Sequence, residues 1–309
     1  MDEQRLSPGS RPSPFLGSAA IAAGLLSAHD LRTSYRAVYR NVYLADDVAL
    51  TPRLRARAAW LFAGPDAVLS GISAAAVHGV NWLDVNAPAE VVRNNRRAPD
   101  GIQVRSYALA PEDICDVDGM RVTTVARTIF DLGRLLPCAD AVPVMDALIN
   151  KSGIDRETVW SLADANPGIR GVDRLRMSLA QADGGAESPL QSRTRLLLRR
   201  TGIPGLQTQI PFYDQWGFVW NRAAMGWPRW KLAVECDEEK DSAGYRAWVH
   251  SHTAELESYD WTVLWVTESM VSGHNGIVER VRRVVGSRTA RVGTPTRLAT
   301  LQRVCSFLR

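Results

Sequence analysis

Apolar and polar side chains alternate with a period of two over 34–44, Ser34-Tyr-Arg-Ala-Val-Tyr-Arg-Asn-Val-Tyr-Leu44, which predicts a half-buried strand pair. The small apolar run at 15–31 ahead of it predicts a helix, and Ser27-Ala-His-Asp30 the start of a second short one. Thr51 before Pro52 predicts a helix over 51–62, with the threonine as cap and proline in its first position. The stretch 67–80 reads as a strand and then a helix of small residues ended by Gly79. Residues 89–107 read as two strands around a basic turn of Arg93, Arg96 and Arg97, with Pro99-Asp100-Gly101 as the hairpin signal. A strand from Gly119 leads into a helix capped at Thr123 or Thr124, and an amphipathic helix begins near Asp140 despite Pro143. Two helices broken at Pro167-Gly168 fill 154–182, and Asp183-Gly184-Gly185 forms a hinge.

Beyond the hinge, 187–200 is a basic helix carrying Arg193, Arg195, Arg199 and Arg200, stopped by Thr201-Gly-Ile-Pro-Gly205. The next segment organises the rest of the chain. Gly217 opens an apolar run, Gly226-Trp227-Pro228 breaks it, and Lys231-Leu-Ala-Val-Glu-Cys-Asp237 reads as a second strand running into an acidic cluster. Such a hairpin delivers carboxylates to one end of a sheet. Glu235 and Asp237, two apart on a strand, point to the same face. The pair suits Mg²⁺, which takes one or two carboxylates plus waters, with Asp241, Glu238 or Glu239 as further oxygen donors. Lys231 then supplies a cation able to organise an attacking water. The competing reading is a solvated strand end, the usual place for a run of charge. Among the tryptophans, Trp261 and Trp265 are expected in the core, and Trp227 with Trp230, beside Pro228, at the surface.

With 309 residues the chain has room for two domains, and its 46% hydrophobic and 23% charged content is that of a soluble globular protein. Apolar runs fall short of the roughly 18 residues of a membrane span, so no membrane is expected. No apolar segment directly follows Arg5 and Arg11 as in a secretory signal, which leaves the cytoplasm as the default. Cys115, Cys138, Cys236 and Cys305 are widely spaced, without a zinc or disulfide pattern. The net charge of +4 rests on arginine far more than lysine. Arginine suits phosphate contacts, and it also accumulates in proteins of GC-rich genomes. Two short helices and a basic aromatic hairpin outline a winged helix, with Arg32, Arg36 and Arg40 near the second helix and the wing. Either they meet phosphates, or they form the solvated face of a strand. His78 reads as a helix-terminal packing residue.

Ser188-Pro-Leu-Gln-Ser-Arg-Thr-Arg195, the 217–241 segment and Asp260-Trp-Thr-Val-Leu-Trp-Val-Thr267 together resemble the very-short-patch-repair endonucleases of the PD-(D/E)XK group. The resemblance implies a restriction-endonuclease-like mixed sheet flanked by helices over 187–286, and a Mg²⁺-dependent DNA endonuclease. In that family a helix glutamate, an aspartate on the first strand of the hairpin, a glutamate on the second and a later histidine carry the work. Here Gln191 takes the helix position, Ala224 that of the aspartate and Asp241 that of the histidine, while Glu235 and Asp237 remain. Trp265 occupies the place of a basic residue before the final Val-Thr. Alanine cannot ligate a metal and glutamine brings no charge, so the resemblance implies an inherited scaffold with a degraded metal site. Glu187 stands a helical turn, about 5.4 Å, from Gln191.

Asn41-Val-Tyr43, Gly71-Ile-Ser-Ala-Ala-Ala-Val-His-Gly79 and Val122-Thr-Thr-Val-Ala-Arg-Thr-Ile-Phe-Asp131 resemble the AbiEi-type antitoxin region. That implies a winged helix over 15–62 and an α/β part over 63–150, binding DNA or a protein partner of a toxin–antitoxin or defence system. The expected plan is a lead at 1–14, the antitoxin-like region at 15–150, a helical linker at 151–186, the endonuclease-like domain at 187–286 and a basic tail at 287–309. The fold class is α/β in the α+β sense. Three functions follow: DNA binding without efficient cleavage through Arg32, Arg36, Arg40, Arg193 and Arg195; an active Mg²⁺ endonuclease using Glu235, Asp237 and a displaced carboxylate; or a module that binds protein alone.

Overall fold

Ser27, Thr51, Thr124 and Ser188 each accept, through the side-chain hydroxyl, the backbone N–H three residues on. These helices begin where that hydroxyl supplies the partner a first-turn donor lacks. The computed structural model describes residues 13–95, 97–238, 242–273 and 276–292. It is an α+β protein that divides into two units, 1–184 and 185–309.

The first unit opens with β1 (Phe15–Leu16), α1 (Gly17–Ala22), α2 (Ala28–Thr33), β2 (Tyr35–Tyr39) and β3 (Val42–Ala45). The three strands form one antiparallel sheet in the order β1-β3-β2. The helix expected from residue 15 therefore starts two residues later, because Phe15 and Leu16 pair with Tyr43 and Val42. Then come α3 (Pro52–Ala63), β4 (Val68–Leu69), α4 (Gly71–Val77), β5 (Ala89–Val92), β6 (Ile102–Arg105), β7 (Ile114–Val117) and β8 (Met120–Thr123). The second sheet has the order β6-β5-β4-β8-β7. β5 and β6 run parallel, not as the hairpin expected from Pro99-Asp100-Gly101. A connection over 93–101 is long enough to return along a four-residue strand of about 13 Å before β6 begins.

Four helices complete the unit: α5 (Val125–Leu135), α6 (Cys138–Ser152), α7 (Arg156–Ala165) and α8 (Val172–Gln181). Val159, Ala163, Leu175 and Leu179 are buried with Ile129, Phe130, Met145 and Leu148 in one core. The segment expected as a linker is thus part of the first unit. A free linker would leave those side chains wet, at about 1.5–3 kcal/mol for each large one. At the heart of α5, fully buried Asp131 accepts from Arg127 Nε (3.0 Å), Arg134 Nε (2.8 Å) and the Tyr107 hydroxyl (2.8 Å). Arg127 also reaches Asp113, at 2.6 Å. Both guanidiniums lie over the Tyr107 and Phe130 rings.

The second unit comprises α9 (Pro189–Arg199), β9 (Gln207–Tyr213), β10 (Val219–Trp227), β11 (Leu232–Cys236), α10 (Ala243–Ser258), β12 (Thr262–Val266), α11 (Glu268–Ser272) and α12 (Gly276–Val292). Its sheet has the order β12-β11-β10-β9. β9, β10 and β11 form an antiparallel meander, and β12 lies parallel to β11. Leu197, Leu198, Ile277 and Val281 of α9 and α12 pack on one face with Leu232, Val234 and Trp227. Leu256 of α10 packs on the other with Ala233, Ile210 and Phe212. A Cβ at Gly226, φ +153°, would sit 2.0 Å from the Leu232 carbonyl oxygen, so only glycine lets β10 lie this close to β11. The outer strand β9 carries Pro211 and, at Gln209, a left-handed residue with φ +50°.

Trp227, expected at the surface, is fully buried and donates its indole N–H to the Ile203 carbonyl at 3.3 Å. Pro228 ends the strand only after Trp227 has turned into the core. Trp230 is half-buried, as are Trp261 and Trp265, which were expected deeper. Among the exposed aromatics are Trp216 (73%) and Phe218 (71%) at the β9–β10 turn and Trp248 (50%) on α10. Helix α12 extends through residue 292, so the first six residues of the expected tail are helical. The lead at 1–12, the remaining tail at 293–309, Arg96, Glu239 and Asp241 lie outside the described residues. Among the described residues no helix is long and apolar enough to cross a membrane.

Candidate carboxylate site

Strand β11 turns Leu232, Val234 and Cys236 toward α9 and α12, and Ala233 toward α10. Glu235 falls on the α10 side and is 5% exposed. Asp237, just past the strand, accepts from the Tyr245 hydroxyl in the first turn of α10, at 3.0 Å. Both acids therefore meet the same helix.

The ladder between β10 and β11 pairs Met225 with Val234, which puts Ala224 opposite Glu235 at the next rung. There the Ala224 N–H donates to Glu235 Oε1 at 3.1 Å. The same oxygen lies 3.3 Å from His252 Nε2, without the alignment of a hydrogen bond. Asn221 fixes the ring. Its Oδ1 accepts from the Arg222 N–H at 2.7 Å, while its Nδ2 donates to Glu255 Oε2 at 3.2 Å and faces His252 Nδ1 at 3.1 Å. Nε2 is the ring edge turned to Glu235. Trp248 stacks on His252 (4.9 Å, 16°) and on Tyr245 (5.8 Å, 25°), and Trp265 meets Trp248 edge-on at 6.0 Å. Burial, then the bond to Asp237, pushes the Tyr245 hydroxyl pKa up. Burial pushes the Cys236 thiol up to about 12, so it stays protonated and is a poor metal ligand.

The other expected residues are scattered. Lys231 lies at the opposite end of β11 from Asp237, with Nζ 3.1 Å from the Tyr259 carbonyl oxygen and 3.6 Å from Asp260. Gln191 serves the start of α9: its Oε1 accepts the Glu187 N–H at 3.0 Å and its own N–H goes to Ser188 Oγ at 3.3 Å. Arg195 is 1% exposed, which corrects its expected place at a nucleic-acid face, since a phosphate cannot reach it. Arg193 is paired with Glu268 at 2.8 Å. Arg36, half-buried, donates to the carbonyls of Ala45 and Asp46, both at 3.0 Å, and of Val48, tying down the chain after β3. Arg32 on α2 and Arg40 at the β2–β3 turn are exposed. Arg53, Arg55 and Arg57 on α3 are half-buried; Arg53 bonds the Val77 carbonyl and Asp118. His78 Nε2 lies 2.8 Å from the Thr123 carbonyl oxygen, and burial lowers its pKa.

Among the described residues, the groups around Glu235 offer few free oxygens to a divalent cation. Ala224 offers no oxygen, Gln191 is spent at its helix start, and one oxygen of Glu235 already faces two protein groups. Among the described residues no three His, Cys, Asp or Glu side chains form a group able to hold a metal. Sequence reasoning missed His252, Tyr245, Asn221 and Glu255. The available signal was the spacing of Tyr245, Trp248 and His252, three and then four apart, which makes a single stripe on a helix.

No protein-family model matches the chain, and no solved structure matches it. Two proteins of Mycobacterium tuberculosis, from strains CDC 1551 / Oshkosh and ATCC 25618 / H37Rv, are similar to it. Each is 28% identical over 258 residues, covering 82% of this chain and 90% of its own length, and each is described as uncharacterized.

Proposed function

We propose that the protein associates with nucleic acid through its first unit and carries, in its second, an endonuclease-like scaffold that no longer cuts. The observation that bears most weight is the pairing at the β10–β11 rung: alanine stands opposite Glu235, and its backbone N–H occupies the carboxylate. The element order supports the scaffold: a helix, three antiparallel strands, a helix and a parallel fourth strand. For binding, the support is the strand, helix pair and wing at 15–45, with Arg32 and Arg40 exposed on them. Duplex DNA is the partner this arrangement suits, since a helix pair with a wing presents cations to successive phosphates.

A salt titration of duplex binding, run beside a plasmid-nicking assay in Mg²⁺ and Mn²⁺, tests the reading. Affinity is expected to fall steeply as salt rises, with no nicking. Nicking abolished by Glu235→Ala would establish an active Mg²⁺ endonuclease instead. Absence of DNA binding at low salt would leave a module that meets protein alone, such as a toxin–antitoxin or defence partner.

A further inference from the structure

We infer that His252 stands in for the cation beside Glu235. The protein holds this carboxylate with its own backbone N–H and imidazole edge, and a divalent ion has no place there. The inference rests on the reading of a scaffold without its metal, but its test needs no nucleic acid.

A carboxylate at 5% exposure is costly unless its oxygens are compensated. The Ala224 N–H donates to Glu235 Oε1 at 3.1 Å, and the His252 Nε2 edge stands 3.3 Å from the same oxygen without the alignment of a hydrogen bond. Alanine at 224 removes the second negative charge that would face Glu235 across the rung, and with it the repulsion that a bound cation relieves. His252 is itself 5% exposed, held on its far side by Asn221 and covered by Trp248 and Trp265. The Glu255 carboxylate braces Asn221 in turn, 3.2 Å from its amide nitrogen. A chain of contacts thus runs from Glu255 through Asn221 and His252 to Glu235. The ring could not swing aside to admit an ion without breaking the Asn221 contact and the Trp248 stack.

The experiment follows thermal unfolding of the full chain by tryptophan fluorescence, in EDTA and in MnCl₂. Trp216, Trp220, Trp227, Trp230, Trp248, Trp261 and Trp265, seven of the ten tryptophans, lie in the second unit and report on it. The wild-type melting temperature is expected to be the same in both buffers. The double variant Ala224→Asp/His252→Ala, with two facing carboxylates and no imidazole, is expected to melt lower in EDTA. It should regain about 5 °C when Mn²⁺ is present at tenfold its dissociation constant. Adding Glu235→Gln to it should erase that gain.

A wild-type melting temperature that rises with Mn²⁺, and no longer does so in Glu235→Gln, overturns the inference, because Glu235 would then hold a cation already. A folded double variant indifferent to Mn²⁺ overturns it as well. Should the double variant not fold, a cycle of His252→Gln and Glu235→Gln decides: the two effects must be non-additive, and additive effects defeat the idea. Loss of DNA binding would sink the proposed function and leave this inference standing; Mn²⁺ binding by the wild type would do the reverse.

Discussion

Asp131 receives two guanidiniums and a phenol at full burial, so removing it leaves buried Arg134 without its carboxylate and Arg127 with Asp113 alone. Asp131→Ala is expected to cost about 3–5 kcal/mol by chemical denaturation. Asp118→Ala, whose carboxylate pairs with Arg53 at the surface, should cost about 1 kcal/mol or less. The tryptophans give a second contrast. Trp227→Ala empties the core under α9 and α12 and should cost about 3–5 kcal/mol, whereas Trp216→Ala, 73% exposed, should fall within about 0.5 kcal/mol. His78 supplies a pH dependence with a definite sign. Burial lowers its folded pKa below the ordinary 6.5, so the fold prefers the neutral ring. That stability is complete above pH 6.5 and is lost as pH falls through the lower folded value. Denaturation midpoints followed from pH 8 to 5 should therefore fall more steeply in the wild type than in His78→Gln.

At the scale of elements, local chemistry was legible and pairing across the chain was not. Ser27 and Thr51 announced their helices because a cap is a contact between near neighbours. The parallel pairing of β5 and β6 was hidden, since a Pro-Asp-Gly turn specifies a local bend and not the strand that follows it. Similarly, α7 and α8 were recognisable as helices, but their apolar stripes do not say which core receives them. The arginines of α2 and the β2–β3 hairpin show the same limit: Arg32, Arg36 and Arg40 look alike in sequence, yet Arg36 donates to three carbonyls. Replacing Arg32 and Arg40 together by alanine should lower the salt slope of DNA binding by about 2, at about 0.9 per phosphate contact, with stability unchanged. Arg36→Ala should instead lower the melting temperature of the first unit.

For the whole molecule, the boundary after Gly184 moves the division of labour by more than thirty residues from the expected end of the antitoxin-like region at 150. A fragment ending at 184 should unfold in one cooperative transition. One ending at 150 would expose Ile129, Phe130 and Leu148, now covered by α7 and α8, and should aggregate; size-exclusion chromatography separates the two outcomes. The candidate site was half legible for a related reason. Glu235 and Asp237 could be placed on one face by strand alternation, but their partners Tyr245 and His252 arrive from a crossover helix whose docking depends on the whole sheet. The outer margin of that sheet has its own consequence. A proline without a donor and a left-handed glutamine deny a visiting strand a regular row of partners along β9. Self-assembly into fibres is thereby discouraged even where the neighbouring aromatic turn is bare to solvent.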